Sequence, residues 1–260
     1  MGDFLPNAVD SVLTGTFQEV EVLVVDDGSV DGTREVMSEY TEPLGDKYDS
    51  RVRYVYQENR GKAAALNKGI RLFSGTHFTI LDADDELPSD SIERRYIKAK
   101  GNSRQADCVI GGFSIIDQSG KRVGERKAPD TSDPLCLRNQ YLFGYKTPFH
   151  LCTCLLHRDL IHRVGLFDCD ISRVDDLDYA LRILKEASRI DIVHGLVYRY
   201  RKYRNAITER LHYRWATLTQ RPRVYWKNAS PLKAPFAVSV GILFDLGKGL
   251  YEIIIGNYDD

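Results

Sequence analysis

HFTILDADDE, residues 77–86, places three carboxylates, Asp82, Asp84 and Asp85, directly after a short apolar run. If FTIL (78–81) is a strand, the acids arrive together at the carboxyl edge of a sheet. That is where α/β proteins bind ligands, and oxygen donors there suit Mg²⁺ or Mn²⁺. The same residues also fit an acidic loop before a capped helix, because Ser89 and Asp90 precede the helical pattern IERRYIKAK. Taken alone, the motif leaves both readings standing.

A second acidic turn lies upstream. VEVLVV (20–25) is β-branched and apolar enough for a strand buried on both faces, and it ends in DDGSVDGT (26–33). Gly28 and Gly32 allow a tight turn, and Ser29 or Asp31 is positioned to cap a helix over residues 34–40. Asp31 reads mainly as a cap, and Asp26 reads equally well as an acceptor for turn amides.

Working outward, strand-like and helix-like segments alternate. VRYVYQ (52–57) is a strand. ENRGKAAALNKGIRLFSG (58–75) holds a helix whose apolar face carries Ala64, Ala65, Leu66, Ile70, Leu72 and Phe73 and which Gly75 closes. A basic helix runs to Lys100, residues 107–116 form a strand, and DQSGK (117–121) forms a hairpin turn. This order predicts an α/β fold with a mostly parallel sheet covered by helices.

Composition narrows the function classes. The 260 residues are 43% hydrophobic and 28% charged, with a formal net charge of −1, which gives no support for a nucleic-acid binder. Five cysteines without framework spacing fit reduced thiols in the cytoplasm, and no signal peptide is visible. A dinucleotide-dependent oxidoreductase fits poorly, because no GxGxxG turn follows a strand.

VDDGSVDGT, ENRGKAAALNKGI and LDADDE, in this order and at these separations, resemble the donor half of a family 2 glycosyltransferase of the GT-A fold. GLFD (165–168) with VDDLDYALRIL (174–184) resembles that family's acceptor-side motif, and YRYRKYRNAIT (198–208) resembles its closing strand and loop. The resemblance implies a GT-A domain over 1–208 with a helical extension over 209–260. It also implies a cytoplasmic, metal-dependent, inverting sugar transferase of polysaccharide biosynthesis. Its donor is a nucleoside-diphosphate sugar, read as UDP-linked, and its acceptor a glycan or lipid-linked hydroxyl.

Residue by residue, the resemblance places Asp27, with Asp26 as the weaker alternative, beside the nucleotide base, where a carboxylate accepts the imide N–H. Asp82 falls near the ribose or a metal-bound water. Asp84, helped by Asp85, holds the divalent cation that bridges the donor phosphates. Lys62 and Arg60 either face the diphosphate or begin a solvated helix. Asp176 matches the general base, preceded by Asp175 where the family usually has Glu. Both also fit ordinary acids at a helix N-terminus, and Asp178 is expected to face away.

Other stretches carry less. In HLCTCLLH (150–157) strand alternation puts His150, Cys152 and Cys154 on one face, but a zinc site lacks a second ligand cluster. His194 reads as a surface loop residue, or as a further metal ligand beside the diphosphate. RYRKYR (199–204) divides its charges between two strand faces. In the tail, Pro222 is expected to break a helix, and the apolar stretch 234–255 is interrupted by Asp245, Lys248 and Glu252. An amphipathic helix on the domain, a partner or a membrane surface fits it better than a spanning helix. The sequon-like NAS at 228–230 carries no weight in a cytoplasmic chain.

Family members open with an apolar strand and a Pro/Tyr/Asn turn, whereas this sequence opens on a helix with Leu5, Val9, Val12 and Leu13 inward and Pro6 in its first turn. A domain truncated at that strand is expected to bind donor weakly, and its alternative role is that of an inactive interaction module. Calorimetry with UDP and Mn²⁺ tests this expectation, and micromolar binding overturns it.

Overall fold

The structure, a computed structural model, describes residues 3–101, 104–144, 147–202, 219–229 and 231–239. Helix α1 (Leu5–Leu13) buries Leu5, Ala8, Val9 and Val12, an i, i+3, i+4, i+7 stripe, and Leu13 packs half-buried against the cluster of Leu5 and Val9 as expected. Strands β1 (Val22–Asp27) and β2 (Val52–Gln57) pair in parallel, with α2 (Thr33–Thr41) between them in sequence. The expectation of full burial for β1 is not met. Val22 to Val25 are half-buried and Asp26 is the buried member, because among the described residues β1 pairs only with β2.

A second sheet is organised around β4 (Cys108–Ile116). It pairs in parallel with β7 (Ile190–Arg201) along most of its length, and antiparallel with β5 (Arg122–Arg126) and β6 (Leu155–His157). Short β3 (His77–Phe78) pairs antiparallel with β6. The two longest ladders are thus parallel and the short ones antiparallel, giving a mixed α/β fold. Helices α3 (Lys62–Leu72), α4 (Ser91–Lys100), α5 (Pro134–Phe143), α6 (Arg158–Val164) and α7 (Asp175–Glu186) complete the main body. α3 ends at Leu72, before the expected Gly75.

Several local expectations are corrected. Of the expected FTIL strand only Phe78 is paired, beside His77; the chain leaves the ladder at Thr79, where the fully buried Arg95 enters. Its guanidinium donates to Thr79 Oγ1 and to the carbonyls of Thr153 and Cys154, replacing backbone pairing with side-chain bonds. HLCTCLLH does not alternate as a strand, since Leu151–Thr153 form a 3-10 turn before β6. His194 lies within β7 rather than in a loop, next to Gly195 (φ 145°) where the β4–β7 register shifts. Its side chain is exposed as expected.

The tail joins the same core. Its described helices cover 219–228, labelled α8, and 234–239, labelled α9. α8 runs through Pro222 rather than breaking there, because burial of Val224 and Tyr225 and the bond from Tyr225 OH to the Tyr141 carbonyl hold it to α5. Asp178, expected to face away from Asp176, points into the core. It is 1% exposed, accepts from Arg182 and Asn228, and so fastens α7 to α8. Asn228 of the NAS triplet is a buried anchor. Phe236 of α9 contacts Phe143. The RNAIT segment (204–208) and the apolar stretch beyond residue 239, with Asp245, Lys248 and Glu252, lie outside the described residues. No helix among the described residues is long and apolar enough to cross a membrane.

Candidate active site

The first acidic turn folds back on itself. Gly28 has φ 80°, and a Cβ there would meet the Asn59 amide nitrogen at 2.7 Å, so only glycine lets the two turns touch. Across this contact Asp27 accepts from Gln57 Nε2 (2.7 Å), Arg60 N (2.9 Å) and Gly61 N (2.8 Å). Asp27 therefore sets the start of α3. Asp26 accepts from Tyr54 OH and Ser29 N. Burial pushes its carboxyl up, but these bonds outweigh burial and hold it below the ordinary range. Neither Ser29 nor Asp31 caps α2, where Gly32 (φ 75°) occupies the N-cap; Asp31 instead accepts from Thr33 Oγ1.

With α3 fixed, Lys62 reaches across to Asp82, Nζ to Oδ1 2.7 Å. Loss of hydration opposes its charge, yet Asp82, Cys152 and Asp175 more than compensate and raise its pKa. Asp82 also receives a long contact from Cys152 Sγ (3.9 Å), and its amide donates to Tyr198 OH (3.2 Å). The Arg60 side chain is exposed, in line with a solvated helix start.

Asp84 and Asp85 behave differently from one another. Asp85 is 1% exposed and accepts from Tyr198 OH and Arg201 N, both at 2.6 Å. Burial pushes its carboxyl up to about 7 despite those bonds, with Asp84 and Asp82 adding to the rise. Arg201 also clasps the Asp84 carbonyl and the Glu86 carboxylate. Among the described residues, the Asp84 carboxylate accepts no hydrogen bond. The acids do not cap α4, whose N-cap Asp90 makes no side-chain cap bond.

On the opposite side α7 begins with Asp175 and Asp176. Asp175 is half-buried, and its pKa is raised by burial and by Asp176 against the opposing pull of Lys62. Asp176 is exposed, and its Oδ1 accepts only the Leu177 amide among the described residues. The side-chain amide of Asn67, on α3, joins the two halves. It donates to the Phe167 carbonyl (3.0 Å) and accepts the Phe167 amide (2.7 Å), tying α3 to the GLFD segment before α7.

The structure thus gathers Lys62, Asp82 and Asp175 and leaves Asp26 in a supporting turn. Tyr198, Arg201 and Asn67 were not singled out from sequence. The alternation of YRYR marked the first two as strand residues, but nothing in it shows which side chain turns inward. Among the described residues no group of three or more His, Cys, Asp or Glu side chains is assembled as a metal site, and His194 joins none. The free Asp84 carboxylate still fits a hard cation that takes its other ligands from phosphate oxygens and water.

The profile of Glycosyl transferase family 2 matches residues 2–165. The chain belongs to that family. A Bacillus subtilis glycosyltransferase, EpsJ, is 30% identical over 212 residues, covering 79% of this chain and 59% of its own length. GlyG of Streptococcus pneumoniae is 37% identical over 119 residues, covering 45% of this chain and 37% of its own. The chain therefore spans little more than half of the first of these relatives. Among solved structures, S. aureus TarS 1-349 in complex with UDP-GlcNAc superposes with a TM-score of 0.64 at 15% identity, over 91% of this chain and 67% of that one. The Pyrobaculum calidifontis mannosyltransferase PcManGT, in complex with GDP-Man and Mn²⁺, gives 0.60 at 19% identity, over 98% and 72%. The family 2 fold is of the GT-A type.

Proposed function

We propose that this family 2 domain transfers a sugar from a nucleoside-diphosphate sugar, UDP-linked, to a hydroxyl of a glycan or lipid-linked acceptor, with inversion at the anomeric carbon. The observation that carries the reading is the convergence of both halves on one lysine. Lys62, held in place through Asp27, is paired with Asp82 of the donor-side acids and lies in the field of Asp175 on the acceptor side. Solved neighbours that hold UDP-GlcNAc or GDP-Man with Mn²⁺ support the donor class.

In this reading Asp27 lies at the base, Asp82 at the ribose, and Lys62 faces the diphosphate. Asp84, backed by Asp85, is the cation ligand; a bound divalent cation supplies neutralisation of the leaving diphosphate. Asp176 takes the proton of the acceptor hydroxyl as its oxygen bonds to the anomeric carbon and the bond to the diphosphate breaks, the electron pair leaving with the nucleotide. Its exposure, and its one bond among the described residues, to the Leu177 amide, leave a lone pair for that proton. Asp175, raised by burial and by its neighbour, supports it from within.

Hydrolysis of a panel of UDP-, GDP- and dTDP-sugars, with and without Mn²⁺, tests the reading. Mn²⁺-dependent release of UDP is expected. Release from no member of the panel, or release unaffected by chelation, overturns it.

A further inference from the structure

His150 enters the site from the turn before β6 and is not used in the reaction above. Its ring centroid lies 5.8 Å from that of Phe113, 5.6 Å from Tyr200 and 6.3 Å from Tyr198. The residue is half-buried, and among the described residues its Nδ1 is buried without a hydrogen-bond partner. The charged groups that face it are Asp176 and Asp82 on the acidic side and Lys62 and Arg126 on the basic side.

A buried ring nitrogen with no partner is less costly as a bare lone pair than as an N–H. The proton of the neutral ring therefore belongs on Nε2. Burial also disfavours the imidazolium and lowers the pKa, although Asp176 and Asp82 pull the other way. The result is an uncharged N–H donor within the field of Asp176, walled by aromatic rings. Few polar groups set among apolar walls is how pockets orient small polar ligands.

We propose that His150, with Phe113 and Tyr200 as walls, forms the subsite for the acceptor sugar. Its Nε2–H holds a ring hydroxyl next to the one that attacks, delivering the attacking hydroxyl to Asp176. The inference rests on the reading of Asp176 as the base, and it deepens that reading by placing the acceptor.

The test uses His150→Phe, which keeps a flat ring, and His150→Gln, which restores an N–H. The acceptor probes are p-nitrophenyl hexosides, with the sugar nucleotide that gives turnover. His150→Phe is expected to raise the glycoside KM at least tenfold while donor KM and sugar-nucleotide hydrolysis to water stay within twofold. His150→Gln is expected to recover most of the loss. Equal loss in hydrolysis and transfer, or no change in either, overturns the subsite. Independently, ¹⁵N-histidine NMR of the wild type is expected to show His150 as the neutral Nε2–H form at pH 7, with its signals shifting when a hexoside alone is added. A shift without turnover keeps the subsite and removes the proposed reaction. Turnover without a shift for any hexoside removes the subsite.

Discussion

The two acidic regions of the site are built in opposite ways. The donor-side acids are held: Asp26, Asp27 and Asp85 each accept at least two hydrogen bonds, and Asp82 is paired with Lys62. Asp84 alone among them has an uncommitted carboxylate among the described residues. The acceptor-side pair stands at the start of α7, where Asp175 lies in the field of Lys62 and Asp176 accepts, among the described residues, only the Leu177 amide. The contrast teaches how each side works. A group that positions a ligand gains from being fixed, whereas a group that takes up a proton in the reaction must keep a lone pair free.

The largest test of this contrast is Asp176→Asn. It is expected to lower kcat by about 10²–10⁴, the usual contribution of a general base. Melting temperature and UDP affinity should stay unchanged, as measured by calorimetry. A parallel fall in stability would place Asp176 with the held acids and erase the distinction.

Asp85→Asn probes the held side through pH. The folded-state pKa of Asp85 is raised to about 7, so the folded state keeps its proton where the unfolded chain has lost it. Wild-type stability therefore falls as pH rises from the ordinary aspartate value toward 7, and levels off above it. The amide cannot ionise, so the variant should gain on wild type over that window. The gain should reach on the order of 2–4 kcal/mol at pH 8 in metal-free buffer, read from urea unfolding at pH 4, 6 and 8. A constant difference would show that the carboxyl titrates normally.

Asn67→Ala tests the link between the two regions. Removing the amide leaves the Phe167 N–H and carbonyl buried without a partner, at a cost of about 2 kcal/mol by thermal or denaturant unfolding. Transfer should fall more than sugar-nucleotide hydrolysis, since α7 loses its tie to α3. The smallest effect on stability is expected for Lys62→Met. The lysine side chain is 56% exposed, so its pair with Asp82 contributes less than about 1 kcal/mol. Donor KM should still rise, and the pKa of Asp175 should rise because an opposing cation is gone. A large stability loss with unchanged donor KM would mean that Lys62 is structural.

Much of this was legible in the chain. VRYVYQ matches β2, the helix read through Lys100 matches α4, and DQSGK forms the turn into β5. Periodicity and turn residues are local, and these elements follow local rules. The failures share one cause. Of FTIL only Phe78 is paired, because Arg95 enters beside it and donates to the Thr79 hydroxyl and the Cys154 carbonyl. Pro222 did not break α8 because Tyr225 is anchored to Tyr141.

The sequence by itself determined that two acid-terminated segments, DDGSVDGT and LDADDE, precede a third acidic helix start, and this order carries the family. Composition and spacing suffice for that, because each motif lies within one turn of chain. Tertiary structure alone decided which acid is which. Asp85 is enclosed by Tyr198 and Arg201 more than a hundred residues away, while Asp84 beside it keeps its carboxylate free. Neighbours in sequence become unlike in protonation because burial and hydrogen bonding, which set a carboxyl's pKa, are supplied by residues that only the fold brings near.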